Sequence, residues 1–197
     1  MQQESPRRSN RERSDTTRAA ILDAARGLFV AKGYAETSTP DIVSAAGLTR
    51  GALYHHFEDK KALFHAVAER ESRDVAASIE QATADGLTAR DALKVGGRAY
   101  FEAMREPGRI RLLLLDGPAV LGKHAMMAID AANAQRTLEE GIAEAMAPTV
   151  VPADKLSAMA SLLSAAFDRA ALDIADGAST DLYAETIGTL IDRMVST

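Results

Sequence analysis

Apolar residues in this chain recur at spacings of three and four, and seldom alternate at two. That periodicity favours amphipathic helices and leaves little room for sheet. Over residues 16–32, Ile21, Ala25 and Leu28 repeat in this way, with Leu22 and Phe29 beside them. Asp15 or Thr16 is placed to cap this first helix, and Gly33 suits its end. Ser38-Thr-Pro-Asp41 then sets a hydroxyl three residues ahead of a carboxylate, the form of a capping box. Pro40 is tolerated only in a first turn, so a second helix starts near Ser38 or Thr39 and carries Ile42, Val43, Ala45 and Ala46 to Gly47. Thr49 caps a third helix, in which Leu53 and Phe57 face one way. Asp59 caps a fourth, carrying Leu63, Phe64, Val67 and Ala68. Two short helices joined at a glycine by about three residues have the form of a helix-turn-helix.

Helical spacing persists downstream. Thr88-Ala-Arg-Asp91 repeats the capping-box form and opens a helix with Leu93, Gly97, Tyr100 and Met104. Pro107-Gly108 and Asp116-Gly-Pro118 bracket a short apolar turn, and one long helix is expected from Pro118 to Met146. Over 153–176, Leu156, Met159, Leu163, Ala166 and Ala170 form one face, while Ala160, Phe167, Ala171 and Ile174 widen it. A final helix carries Tyr183, Ile187, Leu190, Ile191 and Met194. An apolar surface this wide, with small residues allowing close approach, fits the seam of a homodimeric four-helix bundle. The expected interface residues are Leu163, Ala166, Ala170, Ile187, Leu190 and Ile191. An ordinary intramolecular core fits the same pattern.

Composition narrows the function. Of 197 residues, 47% are hydrophobic, enough for a packed core. Cysteine is absent, which excludes disulfides and thiolate chemistry. No run of 18 apolar residues suggests a membrane helix, and the polar N-terminus lacks the apolar core of a signal peptide, so a cytoplasmic protein is expected. The formal net charge is −5, unevenly spread: residues 1–61 hold 10 basic and 8 acidic residues, the remainder 13 and 20. Arg7, Arg8, Arg11, Arg13 and Arg18 cluster near the start. This asymmetry suggests separate tasks. The division expected is a basic flexible arm over 1–14, a helix-turn-helix domain over 15–61 and a second helical domain over 62–197.

The stretch "GLTRGALYHHFEDKK" holds adjacent histidines, which invite a metal reading. On a helix, neighbours diverge by about 100° and do not chelate together. The i,i+4 pair of a helical zinc site is missing, as are a nucleophile elbow and a phosphate-cradling loop. Neither a cofactor nor an enzyme activity is expected. Read as a recognition helix, the segment makes better sense. Thr49 caps it and is free to donate to phosphate, Arg50 matches guanine O6 and N7, and Gly51 lets backbone come close. Tyr54 shares their face, His55 and His56 flank it, and Lys60 and Lys61 follow where they can grip the DNA backbone.

From about Thr16 to Phe64, around "ILDAARGLFVAKGYAETSTPDIVSAAGLTRGALYHHFEDKKALF", the chain resembles the DNA-binding domain of the TetR family of bacterial transcriptional regulators. "LLDGPAVLG" at 114–122 looks like a further family segment. The resemblance implies an all-α homodimer, with an N-terminal three-helix DNA-binding domain and a C-terminal helical domain for ligand binding and dimerisation. By position, Thr37, Ser38, Thr49, Arg50, Gly51, Tyr54, His55, His56 and Lys60 match places that touch DNA. It further implies a double-stranded palindromic operator and a small-molecule effector that releases a repressor. Tyr100, Phe101, Met104, Leu113, Met126, Met127 and Phe167 are then expected to enclose an apolar effector, with His124 or Arg98 as candidate anchors. The alternatives are a ligand-free architectural DNA binder and, less in keeping with the residues, a helical metalloprotein or enzyme.

Overall fold

The structure is a computed structural model that describes residues 10–84 and 86–196. Among them it holds ten α-helices and no strand. The chain divides after Val67 into two compact units.

The first unit contains α1 (Asn10–Glu36), α2 (Thr39–Ala45), α3 (Arg50–His56) and the start of α4 (Lys60–Ala82). Helix α1 begins earlier than the Asp15 or Thr16 cap expected. The hydroxyls of Thr16 and Thr17 instead donate to the carbonyls of Glu12 and Arg13, one turn back, at 2.7 and 2.9 Å. Residues 10–14 of the expected flexible arm are therefore helical, while Arg7 and Arg8 lie outside the described residues. The helix leaves helical geometry at Gly33 (φ 82, ψ 168). Ile21, Ala25, Phe29, Ile42, Leu53, Leu63 and Phe64 are buried to within 1% of full exclusion from solvent. Phe64 meets Phe29 and Tyr34 edge-on, with centroids 5.1 and 5.2 Å apart.

The second unit adds α5 (Ala89–Met104), a π-helical turn (Arg111–Asp116), α6 (Gly117–Leu121), α7 (Lys123–Ala131), α8 (Ala134–Ala145), α9 (Ala153–Ala175) and α10 (Thr180–Val195). Two expectations are corrected here. The apolar stretch before Pro118 is helical rather than a turn. The single helix expected from Pro118 to Met146 is three. Gly122 sits at φ 89, ψ 157, a geometry that only glycine adopts without strain. Asn133 leaves the helix, and its amide donates to the Ile129 carbonyl at 2.6 Å, satisfying a C-terminal acceptor of α7. Ile129 and Ile142, on either side of the break, are both buried in the same core, which is why the apolar period ran through it.

That core draws on α5, α8, α9 and α10, which pack against one another. Close approach is set at Gly97, where a Cβ would fall 2.7 Å from the Phe167 ring. A buried ion pair joins α4 to the segment before the π-turn: Arg109 donates to Glu71 at 2.9 Å and to the Ala103 carbonyl at 2.7 Å.

Candidate nucleic-acid interface

The recognition helix α3 is positioned by the closure of α2 at both its ends and by a cap at its own start. Ser38 Oγ accepts from the Asp41 amide while the Asp41 carboxylate accepts from the Ser38 amide, a complete capping box that starts α2. At the other end Leu48 donates to the Val43 carbonyl and Gly47 to that of Ser44, both at 3.1 Å. This Schellman closure needs a left-handed residue, and Gly47 supplies it at φ 65. Two residues later Thr49 caps α3, its hydroxyl accepting from the Ala52 amide at 3.2 Å. The turn between the helices is thus held by backbone bonds at its start and by the Thr49 cap at its end.

Helix α3 is two-faced. Leu53 and Phe57 are buried, whereas Arg50, Gly51, Tyr54 and His55 are exposed, Tyr54 by 40%. The Arg50 guanidinium lies 5.4 Å from the Tyr54 ring centroid, a cation–π contact that holds a flexible side chain over the exposed face. His56 is half-buried. Burial, with the neighbouring His55 and Arg18, pushes its pKa below the usual imidazole range, so near pH 7 it is neutral and offers one donor and one acceptor. Among the described residues no group of three or more His, Asp or Glu is placed to hold a metal ion.

One expected DNA contact is buried, and a second also serves the fold. Thr37 is fully buried, and its hydroxyl donates to the Gly33 carbonyl at 2.7 Å. It has no face to offer DNA. Lys60 is half-buried, and its Nζ donates to the carbonyls of Tyr34 and Thr37, each at 2.9 Å, beside the Tyr34 ring. It caps the carboxyl end of α1, where carbonyls lack helical partners and a cation is favoured. Lys60 therefore clamps the α1–α2 connection rather than reaching freely outward. Ser38 and Thr49 remain exposed.

In the second unit, five of the seven expected ligand residues line one cavity of about 280 Å³: Tyr100, Met104, Leu113, Met126 and Met127. Phe167 lines a second cavity of about 250 Å³, which shares Tyr100 and Asp130 with the first. Phe101 lines neither, but it lines a third cavity of about 720 Å³, which also takes in Met104. The Phe101 ring is buried against those of Tyr100 and Phe167, at 5.9 and 5.6 Å. Neither Arg98, which pairs with Asp181 at 2.9 Å, nor His124 lines the first or the second cavity. The polar groups that do were not foreseen. Tyr100 donates to Asp168 at 2.5 Å, and Ser164 to Asp130 at 3.0 Å. Burial raises the pKa of Asp130 and drives that of Asp168 up to about 6. Helical spacing placed Tyr100 on an inward face but gave no sign of which carboxylates, 30 and 68 residues on, would meet it.

The expected dimer residues are mostly spent within the chain. Leu163, Ala170, Ile187 and Ile191 are buried in its own core, so they are corrected to intramolecular packing; Ala166 is half-buried and Leu190 is exposed. The exposed apolar surface of α9 and α10 includes Leu190 (51% exposed) from the expected set and adds Leu162 (75%) and Leu182 (61%). Along α9, Ala158, Leu162 and Ala165 continue that exposed row at spacings of four and three.

Residues 21–67 match the family model described as bacterial regulatory proteins, tetR family. Residues 90–197 match a tetracyclin repressor-like C-terminal domain. The HTH-type transcriptional regulator AcrR of Shigella flexneri is 45% identical over 62 residues, 32% of this chain and 29% of that protein. The HTH-type transcriptional activator FasR of Mycolicibacterium smegmatis is 32% identical over 96 residues, 49% of this chain and 44% of that protein. The chain thus spans less than half the length of these curated relatives, and both are regulators, not enzymes. A solved TetR-family transcriptional regulator from Pectobacterium atrosepticum is 30% identical, with a TM-score of 0.67 and 95% of each chain covered. The fold also matches that of LfrR from Mycobacterium smegmatis, solved in complex with proflavine, at a TM-score of 0.61 and 21% identity over 93% of this chain and 98% of that one.

Proposed function

The chain belongs to the TetR family of bacterial regulatory proteins, whose N-terminal unit is a DNA-binding domain, and from that premise we propose that it acts as a homodimeric repressor released from a palindromic operator by a small molecule. The observation that carries this reading is the exposed face of α3. Arg50, Gly51, Tyr54 and His55 stand outward on a helix whose Leu53 and Phe57 anchor it and whose start is capped by Thr49. A helix so held enters the major groove by its first turn, where Arg50 meets base edges and Ser38 and Thr49 meet phosphate.

One such helix reads few base pairs. Two copies related by a twofold axis read half-sites about one helical turn of DNA apart. The seam is placed on the exposed row of α9 and α10 around Leu162 and Leu190, which would otherwise face water. The cavities in the second unit supply room for an effector, and LfrR, of the same fold, was solved with a small molecule bound. The effector shifts the protein only by its differential affinity for the state that does not bind DNA. A thousandfold release requires about 4 kcal/mol of coupling.

Selection of bound duplexes from a randomised pool, followed by footprinting, tests the reading. A single protected palindrome is expected. Uniform coating of duplex would instead mark an architectural binder. Transcription from a promoter carrying the selected site must fall when the protein is added; a rise would make it an activator.

A further inference from the structure

Two adjoining cavities of the second unit, those that share Tyr100 and Asp130, are lined by carboxylates with almost no opposing charge. Asp130 lines both, Asp168 lines one, and Glu140 and Glu144 line the other. The basic residue among the linings is Lys123, which is exposed. Glu140 is already paired with Arg136 at 2.9 Å. Asp130 and Asp168 are different: each accepts from a neutral hydroxyl, and among the described residues no basic group is paired with either. Burying a carboxylate without a cation is costly, and a hydroxyl donor offsets only part of that cost. Around them stand the rings of Tyr100 and Phe167, with centroids 5.8 Å apart, and the side chains of Met104, Met126 and Met127. Aromatic faces attract a cation, and thioethers adapt to varied apolar shapes.

We propose that these adjoining cavities take an amphipathic organic cation, an ammonium group seated between Asp130 and Asp168 against the Tyr100 ring, with its apolar body among the methionines. This rests on the reading of the second unit as effector-binding, and it adds a positive charge to the apolar ligand expected from the sequence. A neutral ligand of the same shape leaves both carboxylates unpaired, and an anion is repelled by them. The charged groups facing Asp168 across its cavity are Asp130 and Lys123, with the Tyr100 hydroxyl donating to it. A proton on Asp168, whose pKa is about 6, competes with the cation.

Calorimetric titration of the full chain with benzyltrimethylammonium, its neutral carbon isostere neopentylbenzene, and phenylacetate tests this. At pH 7.5 the cation should bind about tenfold or more tightly than the isostere, and phenylacetate should not bind. The preference should shrink between pH 7 and pH 5 while the isostere's affinity stays level. The double variant Asp130→Asn/Asp168→Asn, checked for folding by circular dichroism, should bind cation and isostere alike. Equal binding by the wild type, no measurable binding of the cation, or a preference that survives in the double variant overturns the assignment. Binding of the selected duplex is measured on the same samples. Intact duplex binding with no cation preference removes the ligand class alone, whereas loss of specific duplex binding by the wild type removes the regulator reading itself.

Discussion

At Gly51 an added methyl group would meet nothing nearer than the Thr49 hydroxyl, 3.9 Å away. The fold does not require glycine there, so the requirement belongs to whatever approaches α3. Gly51→Ala should leave the thermal midpoint unchanged or slightly raised and weaken operator binding, read by fluorescence anisotropy; unaltered affinity would show that backbone does not come close at this point. Lys60 presents the opposite case. Removing its ammonium strands two carbonyls at the end of α1, so Lys60→Ala should cost about 2 kcal/mol of stability as well as DNA affinity. A denaturant midpoint identical to wild type would return Lys60 to a purely outward role. Asp168 carries a stability cost in the free protein. Its folded pKa is raised above the unfolded value, so its stabilising contribution is complete below about pH 4 and is lost as pH rises through about 6. Asp168→Asn should therefore be more stable than wild type at pH 7.5, on the order of 2–3 kcal/mol, with the gap closing by pH 4. A constant gap across that range would mean that Asp168 is not protonated on acidification as described.

Among the elements, α9 has two jobs on two faces. Ala160, Leu163, Phe167, Ala170 and Ala171 are buried against the chain's own helices, while Ala158, Leu162 and Ala165 look outward. The two faces respond differently to substitution. Leu163→Ala opens a cavity in the core and should cost about 2–4 kcal/mol. Leu162→Arg alters an exposed position and should yield monomers by sedimentation at unchanged monomer fold. A Leu162→Arg protein that sediments as a dimer would place the seam on another surface. Helix α5 comes closest to α9 at Gly97, which admits the Phe167 ring where any side chain would collide. That approach brings Phe167 to the wall of one cavity and Tyr100 to both.

For the molecule as a whole, the net charge of −5 conceals a first unit with a small basic excess and a second that is strongly acidic. Duplex binding through the exposed basic residues Arg11, Arg13, Arg18, Arg50 and Lys61 should weaken linearly on a logarithmic plot against salt, with a slope of about −0.9 per phosphate neutralised. Replacing Arg11 and Arg13 with alanine should flatten that slope; an unchanged slope would leave them without phosphate contacts. The acidic surplus of the second unit is partly internal, at Asp130 and Asp168, where it lends charge to a cavity rather than to the surface.

The helical class, the helix-turn-helix and its caps were legible in the sequence because they rest on local rules. A hydroxyl three residues before a carboxylate, a glycine at a left-handed position and apolar residues at three and four act within a turn or two of chain. Leu53 and Phe57 were assigned inward and Tyr54 outward on that basis, and the structure agrees. What tertiary structure decided were the pairings across long separations. Thr37 and Lys60 turn inward to satisfy the carboxyl end of α1, α9 gives its Leu163 face to the chain and its Leu162 face to solvent, and Tyr100 meets Asp168. Periodicity shows that a side chain sits on a face, but only packing shows which carbonyl, ring or carboxylate it finds there, because that partner comes from a part of the chain that no local rule connects to it.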